Sequence, residues 1–141
     1  EVRALVRPTS DLRGLQGLLV LLQTSYDFGV GQRLSVGYRK NFDDSWFTNY
    51  VAFNELYANL DGRIGTRIGV HGGFKGRFES YRGTVERDDI LLQAKGDVAY
   101  HFRDWGALST GLWWTQRASG AGQDGIEYDD FNVHLLATFS Y

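Results

Sequence analysis

The chain has 141 residues, carries 15 Lys and Arg against 17 Asp and Glu, and contains no cysteine. Its length fits a single domain over 1–141, its net charge of −2 gives no basic surface for nucleic acid, and the lack of cysteine excludes disulfides and thiolate metal sites. Aromatic residues make up 15% of the chain, with 18 glycines and one proline, a composition that favours extended strands joined by tight turns.

Alternating apolar and polar residues predict a succession of β-strands, because successive side chains of a strand point to opposite faces. No apolar run approaches the roughly 20 residues that a transmembrane helix needs. The alternation is most regular in the segment that ends the chain on an aromatic residue. In chain order, the predicted strands cover approximately residues 1–7, 18–28, 34–41, 47–60, 63–81, 90–102, 108–115 and 131–141.

The predicted connections alternate between short turns and longer loops. The turns fall at 29–32, 61–62 and 103–106, and the loops at 8–17, 42–46, 83–88 and 119–130. Transmembrane barrels place short turns on the periplasmic side and longer loops outside. Eight strands in this arrangement predict an all-β fold, a closed antiparallel up-and-down transmembrane β-barrel. Because the first strand is short, the chain is alternatively the C-terminal part of a longer barrel.

Alternation alone leaves open which face of the sheet points outward, since a soluble lipocalin-like barrel and a membrane barrel have opposite orientations. The polar face of 63–81 mixes charges of both signs with Gly65, Gly69 and Gly73, as a narrow and filled lumen requires. We therefore expect an apolar exterior and a charged lumen. The residues expected to line the lumen are Arg39, Arg67, His71, Lys75, Arg77, Glu79, Gln93, Lys95, Asp97 and His101.

Aromatic residues concentrate near the ends of the predicted strands. Amphipathic rings are enriched where a membrane protein crosses the two membrane–water interfaces. Two aromatic belts therefore favour the membrane orientation. The residues expected at the interfaces are Tyr26, Phe28, Tyr100, Phe102, Trp114, Phe139 and Tyr141.

Two segments carry a family resemblance: residues 33–39, RLSVGYR, and residues 133–141, VHLLATFSY. They resemble the hairpin strands and the aromatic last strand of bacterial porin-like and small outer-membrane β-barrel families, over most of 18–141. The chain departs from that pattern by ending on Tyr141, where phenylalanine is more usual. The resemblance implies a bacterial outer-membrane location, contact with lipid and lipopolysaccharide, and insertion by the barrel-assembly machinery through the last strand. Members of such families serve as porins, as anchors or as channels near polysaccharide export systems.

The three histidines all belong to the polar set. If the 83–88 loop closes its hairpin symmetrically, His71 faces His101 and Lys75 faces Asp97, while His134 lies several strands away. Two histidines without a third ligand make an incomplete zinc site. Hydrogen bonding inside the lumen is the better interpretation, and no cofactor is predicted.

Three Asp-Asp pairs fall in or at the ends of the longer loops. Solvated loops are commonly acidic, and this is the simpler interpretation of the pairs. The alternative is binding of divalent cations at the lipopolysaccharide surface, because hard cations take carboxylate oxygens. The candidate ligands are Asp43, Asp44, Asp88, Asp89, Asp129 and Asp130.

The sequence favours a non-enzymatic role. Catalysis by a serine needs an adjacent base, and Ser140 lies roughly 20 Å along the strand from His134. An outer-membrane lipid hydrolase is therefore the least favoured class. We expect a membrane scaffold, an anchor or a narrow channel with a charged lumen. A segment of a larger porin or polysaccharide-export channel and a soluble lipocalin-like binding barrel remain the alternatives, and the number of strands decides whether the lumen is filled or is a basic pore suited to anions.

Overall fold

The computed structural model describes residues 2–10, 16–44, 50–82, 86–103, 105–120 and 127–139. These residues form one antiparallel sheet whose strand order follows the chain order, which confirms the prediction of eight up-and-down strands. No helix able to cross a membrane occurs in these ranges. The strands are β1 Val2–Ser10, β2 Gln16–Asp27, β3 Arg33–Asp44, β4 Tyr50–Ile64, β5 Ile68–Arg82, β6 Arg87–Arg103, β7 Gly106–Ser119 and β8 Tyr128–Phe139.

The two edges of the sheet are β1 and β8. Within the described ranges they form no hydrogen-bonded ladder with each other, so the sheet itself is open. All twelve residues of β8 are exposed, and so are residues 2–5 of β1. The edges therefore lack the packing that the central strands β4 to β7 receive from their neighbours.

The connections lie at two ends of the sheet. We call the end with the β2–β3, β4–β5 and β6–β7 connections the turn end, and the opposite end the loop end. The turn predicted at 61–62 is displaced to 65–67, because β4 continues to Ile64 and Gly65 takes a φ of 64°, a left-handed conformation that glycine adopts without strain. The expected difference in length between turns and loops is small, since the connection at 28–32 at the turn end is as long as the one at 45–49 at the loop end.

The register of β5 and β6 differs from the one that a symmetric 83–88 loop predicts. Pairing runs to Tyr81 and Arg87, so the hairpin is centred nearer the start of that segment. As a result His71 lies opposite Asp97, and Lys75 lies opposite Gln93. The predicted pairings of His71 with His101 and of Lys75 with Asp97 are therefore wrong, each by four residues along β6.

Side chains divide the sheet into two faces that differ sharply in chemistry. The polar face holds the odd-numbered residues of β1 to β7 and the even-numbered residues of β8; the apolar face holds the others. All buried side chains larger than glycine belong to the polar face: Val51, Phe53, Glu55, Glu79, Asp89, Leu91 and Thr115. The large exposed residues of the apolar face include Leu22, Leu34, Val36, Leu56, Leu60, Phe74, Phe78, Val98, Leu108, Leu112, Val133 and Leu135.

Asn54 precedes Glu55 in β4 and therefore points to the opposite face of the sheet. It lies on the apolar face, where the hydroxyl of Tyr38 on the adjacent strand donates to its Oδ1 at 2.7 Å. This hydrogen bond satisfies the amide oxygen on an otherwise oily surface. Glu55 consequently points to the polar face, where it is 4% exposed.

Gly37 and Gly73 of the polar face lie beneath side chains of neighbouring strands. A Cβ at Gly37 would overlap the ring of Tyr57, whose hydroxyl crosses β3 to donate to Gln23 Oε1 at 3.1 Å. At Gly73 a Cβ would lie 2.8 Å from Lys95 Cε and 2.9 Å from Asn59 Oδ1. Glycine at these positions lets side chains two strands apart approach each other above the intervening backbone.

We expect Gly37→Ala to destabilise the sheet by about 1–3 kcal/mol, because the added methyl group displaces the Tyr57 ring from its place above β3. Gly96→Ala is the matched control, since a Cβ at Gly96 meets no atom within 4 Å. Denaturant unfolding of the refolded chain measures both. Equal unfolding free energies for the two variants would show that the Tyr57 ring can move aside without cost.

Candidate functional site: the polar face

The polar face carries a network of charges near the loop end, drawn from β3 to β7. Four arginines and three carboxylates contact one another across these five strands. Burial of charge is costly unless each group is paired, so the alternation of signs is what permits this arrangement. The members are Arg39, Glu55, Arg77, Glu79, Arg87, Asp89 and Arg117.

Glu55 binds two arginines, one from each neighbouring strand. Its Oε1 accepts a hydrogen bond from Arg39 Nη2 at 2.8 Å, and its Oε2 lies 2.6 Å from Arg77 Nη2. Both guanidinium groups also approach the ring of Phe53, at 5.3 Å for Arg39 and 4.3 Å for Arg77. Phe53 is 2% exposed and the Arg77 side chain 18% exposed, so the Arg77 contact is largely shielded from water, whereas the Arg39 side chain is 41% exposed.

Glu79 and Asp89 lie directly opposite each other on β5 and β6. Like charges in that position repel, and both residues are buried. Arg117 of β7 relieves the repulsion because it contacts Glu79 through Nη2 and lies 3.2 Å from Asp89 Oδ2 through Nε. Tyr81 completes the arrangement: its hydroxyl donates to Glu79 Oε2 at 3.0 Å and accepts from Arg117 Nη2 at 2.7 Å.

Asp89 is held by charge more than by directed hydrogen bonds. Its side chain is 0% exposed, with Oδ1 at 3.0 Å from Arg87 Nε, yet the N–H groups of Arg87 and Arg117 do not align with its oxygens. These contacts are therefore ion pairs. The prediction that Asp89 belongs to a solvated loop is wrong, because β6 begins at Arg87 and carries Asp89 into the polar face.

The other aspartates proposed as cation ligands also lie within strands, dispersed along the loop end. Asp88 is 3.4 Å from Arg82 Nη2, Asp129 accepts from Trp114 Nε1 at 2.7 Å, and Asp130 accepts from Asn132 at 2.7 Å. Asp43 and Asp44 close β3, and the side chain of Asp44 lies outside the described residues. Across the parts of the chain that the structure describes, no three His, Asp or Glu residues converge as a metal site would require.

The middle of the polar face holds a cavity of about 480 Å³. Lys75 and Lys95 project into it from neighbouring strands, and neither forms an ion pair with any residue in the described ranges. Trp113 forms part of the wall with 52% of its surface exposed, and its Nε1 donates to Thr115 Oγ1 at 2.7 Å. The lining residues are Leu21, Arg39, Glu55, Tyr57, Asn59, Gly73, Phe74, Lys75, Gln93, Ala94, Lys95 and Trp113.

Two histidine–carboxylate pairs lie nearer the turn end. His71 Nδ1 is 2.5 Å from Asp61 Oδ1, and His134 Nε2 is 3.1 Å from Asp97 Oδ1. The second pair spans β7 above Gly111, where a Cβ would overlap both partners. As predicted, His134 on β8 lies strands away from His71 and His101, and a glycine in the intervening β7 lets its ring reach Asp97 of β6.

Two of the residues expected to line the lumen lie at the turn end. Arg67 belongs to the 65–67 turn, because the displaced turn moves it out of the strand. The exposed His101 approaches the Arg67 carbonyl oxygen through Nδ1 at 3.3 Å. The strands β3, β5 and β6 bring nine of the ten to the polar face, with His101 at its turn end: Arg39, His71, Lys75, Arg77, Glu79, Gln93, Lys95, Asp97 and His101.

Aromatic rings cluster at the turn end, close to the positions that the sequence predicts. Phe102 packs edge-on against Phe139 at 6.3 Å between ring centroids, and Tyr26 stacks on Phe28 at 6.3 Å. Trp105, which sequence reasoning missed, joins the first cluster at 5.4 Å from Phe102. Of the other predicted interface residues, Tyr100 lies toward the turn end, Trp114 toward the loop end, and Tyr141 outside the described residues.

Sequence reasoning also missed half of the ionic network. Glu55 and Arg117 are single charges in or just beyond a predicted strand, and Arg87 lies between Glu86 and Asp88 in the predicted 83–88 loop. The alternation of odd-numbered polar residues would have placed Glu55 and Arg117 on the right face. Their pairing depends on the register between strands, which the alternation does not supply.

Comparison of the chain with protein-family models, with curated proteins and with solved structures found no significant match. The functional argument therefore rests on the geometry and chemistry of the two faces.

We expect Arg117→Met to destabilise the sheet by about 3 kcal/mol or more, because it removes the cation that contacts both opposed carboxylates and leaves Arg77 and Arg87 to balance one carboxylate each. Arg82→Met is the matched control: its ion pair with Asp88 is 41% and 68% exposed, and such pairs contribute about 1 kcal/mol or less. Denaturant unfolding of both variants supplies the comparison. A cost for Arg117→Met no larger than that of Arg82→Met would contradict a tightly coupled network.

Proposed function

We propose that this chain forms part of the wall of a transmembrane β-barrel in a bacterial outer membrane, with its apolar face toward lipid and lipopolysaccharide and its polar face toward the lumen. In this role it is a non-enzymatic channel. Its last strand, β8, serves as the recognition segment for the barrel-assembly machinery. The predicted absence of catalysis and of a resident cofactor stays a prediction.

The observation that carries this proposal is the inverted burial of the sheet. Carboxylates such as Glu55, Glu79 and Asp89 are buried, while most large aliphatic side chains of the opposite face are exposed. In water, exposing so much contiguous apolar surface is unfavourable. In a bilayer the same surface contacts acyl chains, and the charged face is shielded from lipid inside the barrel.

Strand length and the aromatic clusters support the same orientation. β2 to β8 contain 12–17 residues each, and a tilted strand crosses a bilayer with about 9–11. The ring cluster of Phe102, Trp105 and Phe139 lies at the turn end, at the level where aromatic belts meet the lipid headgroups. The soluble lipocalin alternative is disfavoured because it needs its apolar residues inside.

We further infer that the barrel contains more than eight strands. Unpaired backbone groups are not tolerated in lipid, so β1 and β8 must each pair with a strand. A closed eight-stranded barrel has an interior that side chains fill. Here His134 of β8 is 53% exposed and the cavity beside Lys75 is open, which favours additional strands beyond both edges and a lumen wide enough for solutes.

Paired single-cysteine variants test the orientation directly, because the chain contains no native cysteine. Leu92→Cys and Leu112→Cys lie on the apolar face, and their neighbours Gln93→Cys and Trp113→Cys lie on the polar face. A nitroxide is attached at each cysteine and the protein is refolded in phospholipid vesicles. Lipid-soluble oxygen should enhance the spin relaxation of the nitroxides at the first pair of positions, and a water-soluble nickel complex should enhance it at the second pair. Equal access of the nickel complex to all four positions would refute the membrane orientation.

Closure is tested by a disulfide between the two edges. Ala4→Cys combined in turn with Val133→Cys, Leu135→Cys or Ala137→Cys should give no intramolecular disulfide on oxidation, since additional strands separate β1 from β8. Ala4→Cys with Leu22→Cys is the positive control, because those residues are directly paired on β1 and β2. Efficient closure of any edge pair would establish an eight-stranded barrel and a filled lumen.

A further inference from the structure

The two lysines of the central cavity lie close together, and neither forms an ion pair with a carboxylate among the residues that the structure describes. Lys75 is opposite Gln93 and Lys95 is opposite Gly73, so the lysines are diagonal neighbours on β5 and β6. Side chains in that relation are roughly 7 Å apart at their base, and like charges there repel. A network that pairs its other charges therefore leaves two ammonium groups directed into an open space.

The nearest carboxylates are already engaged. Glu55 also lines the cavity, but its two oxygens bind Arg39 and Arg77. Asp97, two residues beyond Lys95 on the same face, lies 3.1 Å from His134. The charges of Glu55 and Glu79 still act on Lys75, but within the described residues no carboxylate forms an ion pair with either lysine, which leaves both ammonium groups available to an anion from solution.

The remaining walls of the cavity suit a sugar ring. Trp113 lies directly opposite Lys95 and is half exposed, with its indole held by the hydrogen bond to Thr115. Asn59 and Gln93 supply amide groups that can bond hydroxyls. The volume of about 480 Å³ lies within the range of roughly 300–1,000 Å³ typical of small-molecule sites.

We propose that this cavity binds an anionic monosaccharide, phosphorylated or carboxylated, with the anion at Lys75 and Lys95 and the ring against Trp113. The inference rests on the proposed function in one respect: that function places the binding site in the lumen of a barrel. The lysines supply selectivity for anions, and the indole supplies selectivity for a ring over a simple ion.

The test is an equilibrium titration of the full chain refolded in detergent, followed by tryptophan fluorescence. Glucose 6-phosphate should bind, with weaker binding of inorganic phosphate and none of glucose. The double variant Lys75→Gln/Lys95→Gln should raise the Kd for glucose 6-phosphate at least tenfold. Lys40→Gln, the same substitution on the apolar face, should leave the Kd unchanged.

A second variant separates the ring from the anion. Trp113→Ala should weaken the binding of glucose 6-phosphate and leave the binding of phosphate unchanged. Because this substitution removes a tryptophan, an attached fluorophore serves as the readout. The inference is overturned if glucose binds as tightly as its phosphate, if the double lysine variant retains the original Kd, or if the wild-type chain binds none of these compounds. If these binding tests fail while nitroxide accessibility still alternates between the two faces, only this inference is overturned. Loss of that alternation would overturn the proposed function itself.

Discussion

The opposition of Glu79 and Asp89 across β5 and β6 is the constraint on which the polar face depends. Two buried carboxylates directly opposite each other are tolerated because Arg117 enters from β7 and contacts both, while Arg77 and Arg87 contact one carboxylate each. That contact requires β5, β6 and β7 to keep a single register, since a slip of one residue would turn the guanidinium to the opposite face. The ionic network thus fixes the alignment of the central strands as well as neutralising their charge.

Glycine extends this organisation toward the turn end. Above Gly111, Asp97 and His134 meet from strands that are not neighbours, and above Gly37 the Tyr57 hydroxyl reaches Gln23. Each of these contacts links two strands that have a third strand between them. They give the polar face a rigidity that its aliphatic residues, few in number, could not provide.

Much of the fold follows from the sequence. The alternation in residues 90–102 predicts β6 and both of its faces, and the same pattern predicts the number and direction of the strands. The alternation misplaces the turn between β4 and β5, because the pattern continues through the last residues of β4 up to the turn at Gly65. The alternation also does not predict which side chains contact each other. The pairing of His134 with Asp97 depends on the register of three strands and on the fact that glycine at position 111 has no side chain.

The two faces also assign separate roles to the same strands. Exposed aliphatic side chains such as Leu56 suit contact with acyl chains, whereas the unpaired lysines of the cavity suit a path for anions. Additional strands at β1 and β8 would convert the open face into a lumen without altering either surface.

The most direct test of the account uses apolar residues that lie on opposite faces. Nuclear Overhauser effects between lipid acyl chains and protein methyl groups, recorded on the chain refolded in lipid, should reach Leu56, Val98 and Leu112. They should be absent at Val51 and Leu91, which are buried on the polar face. Contacts from acyl chains to Val51 and Leu91, or none to the first three residues, would contradict the proposed orientation of the sheet.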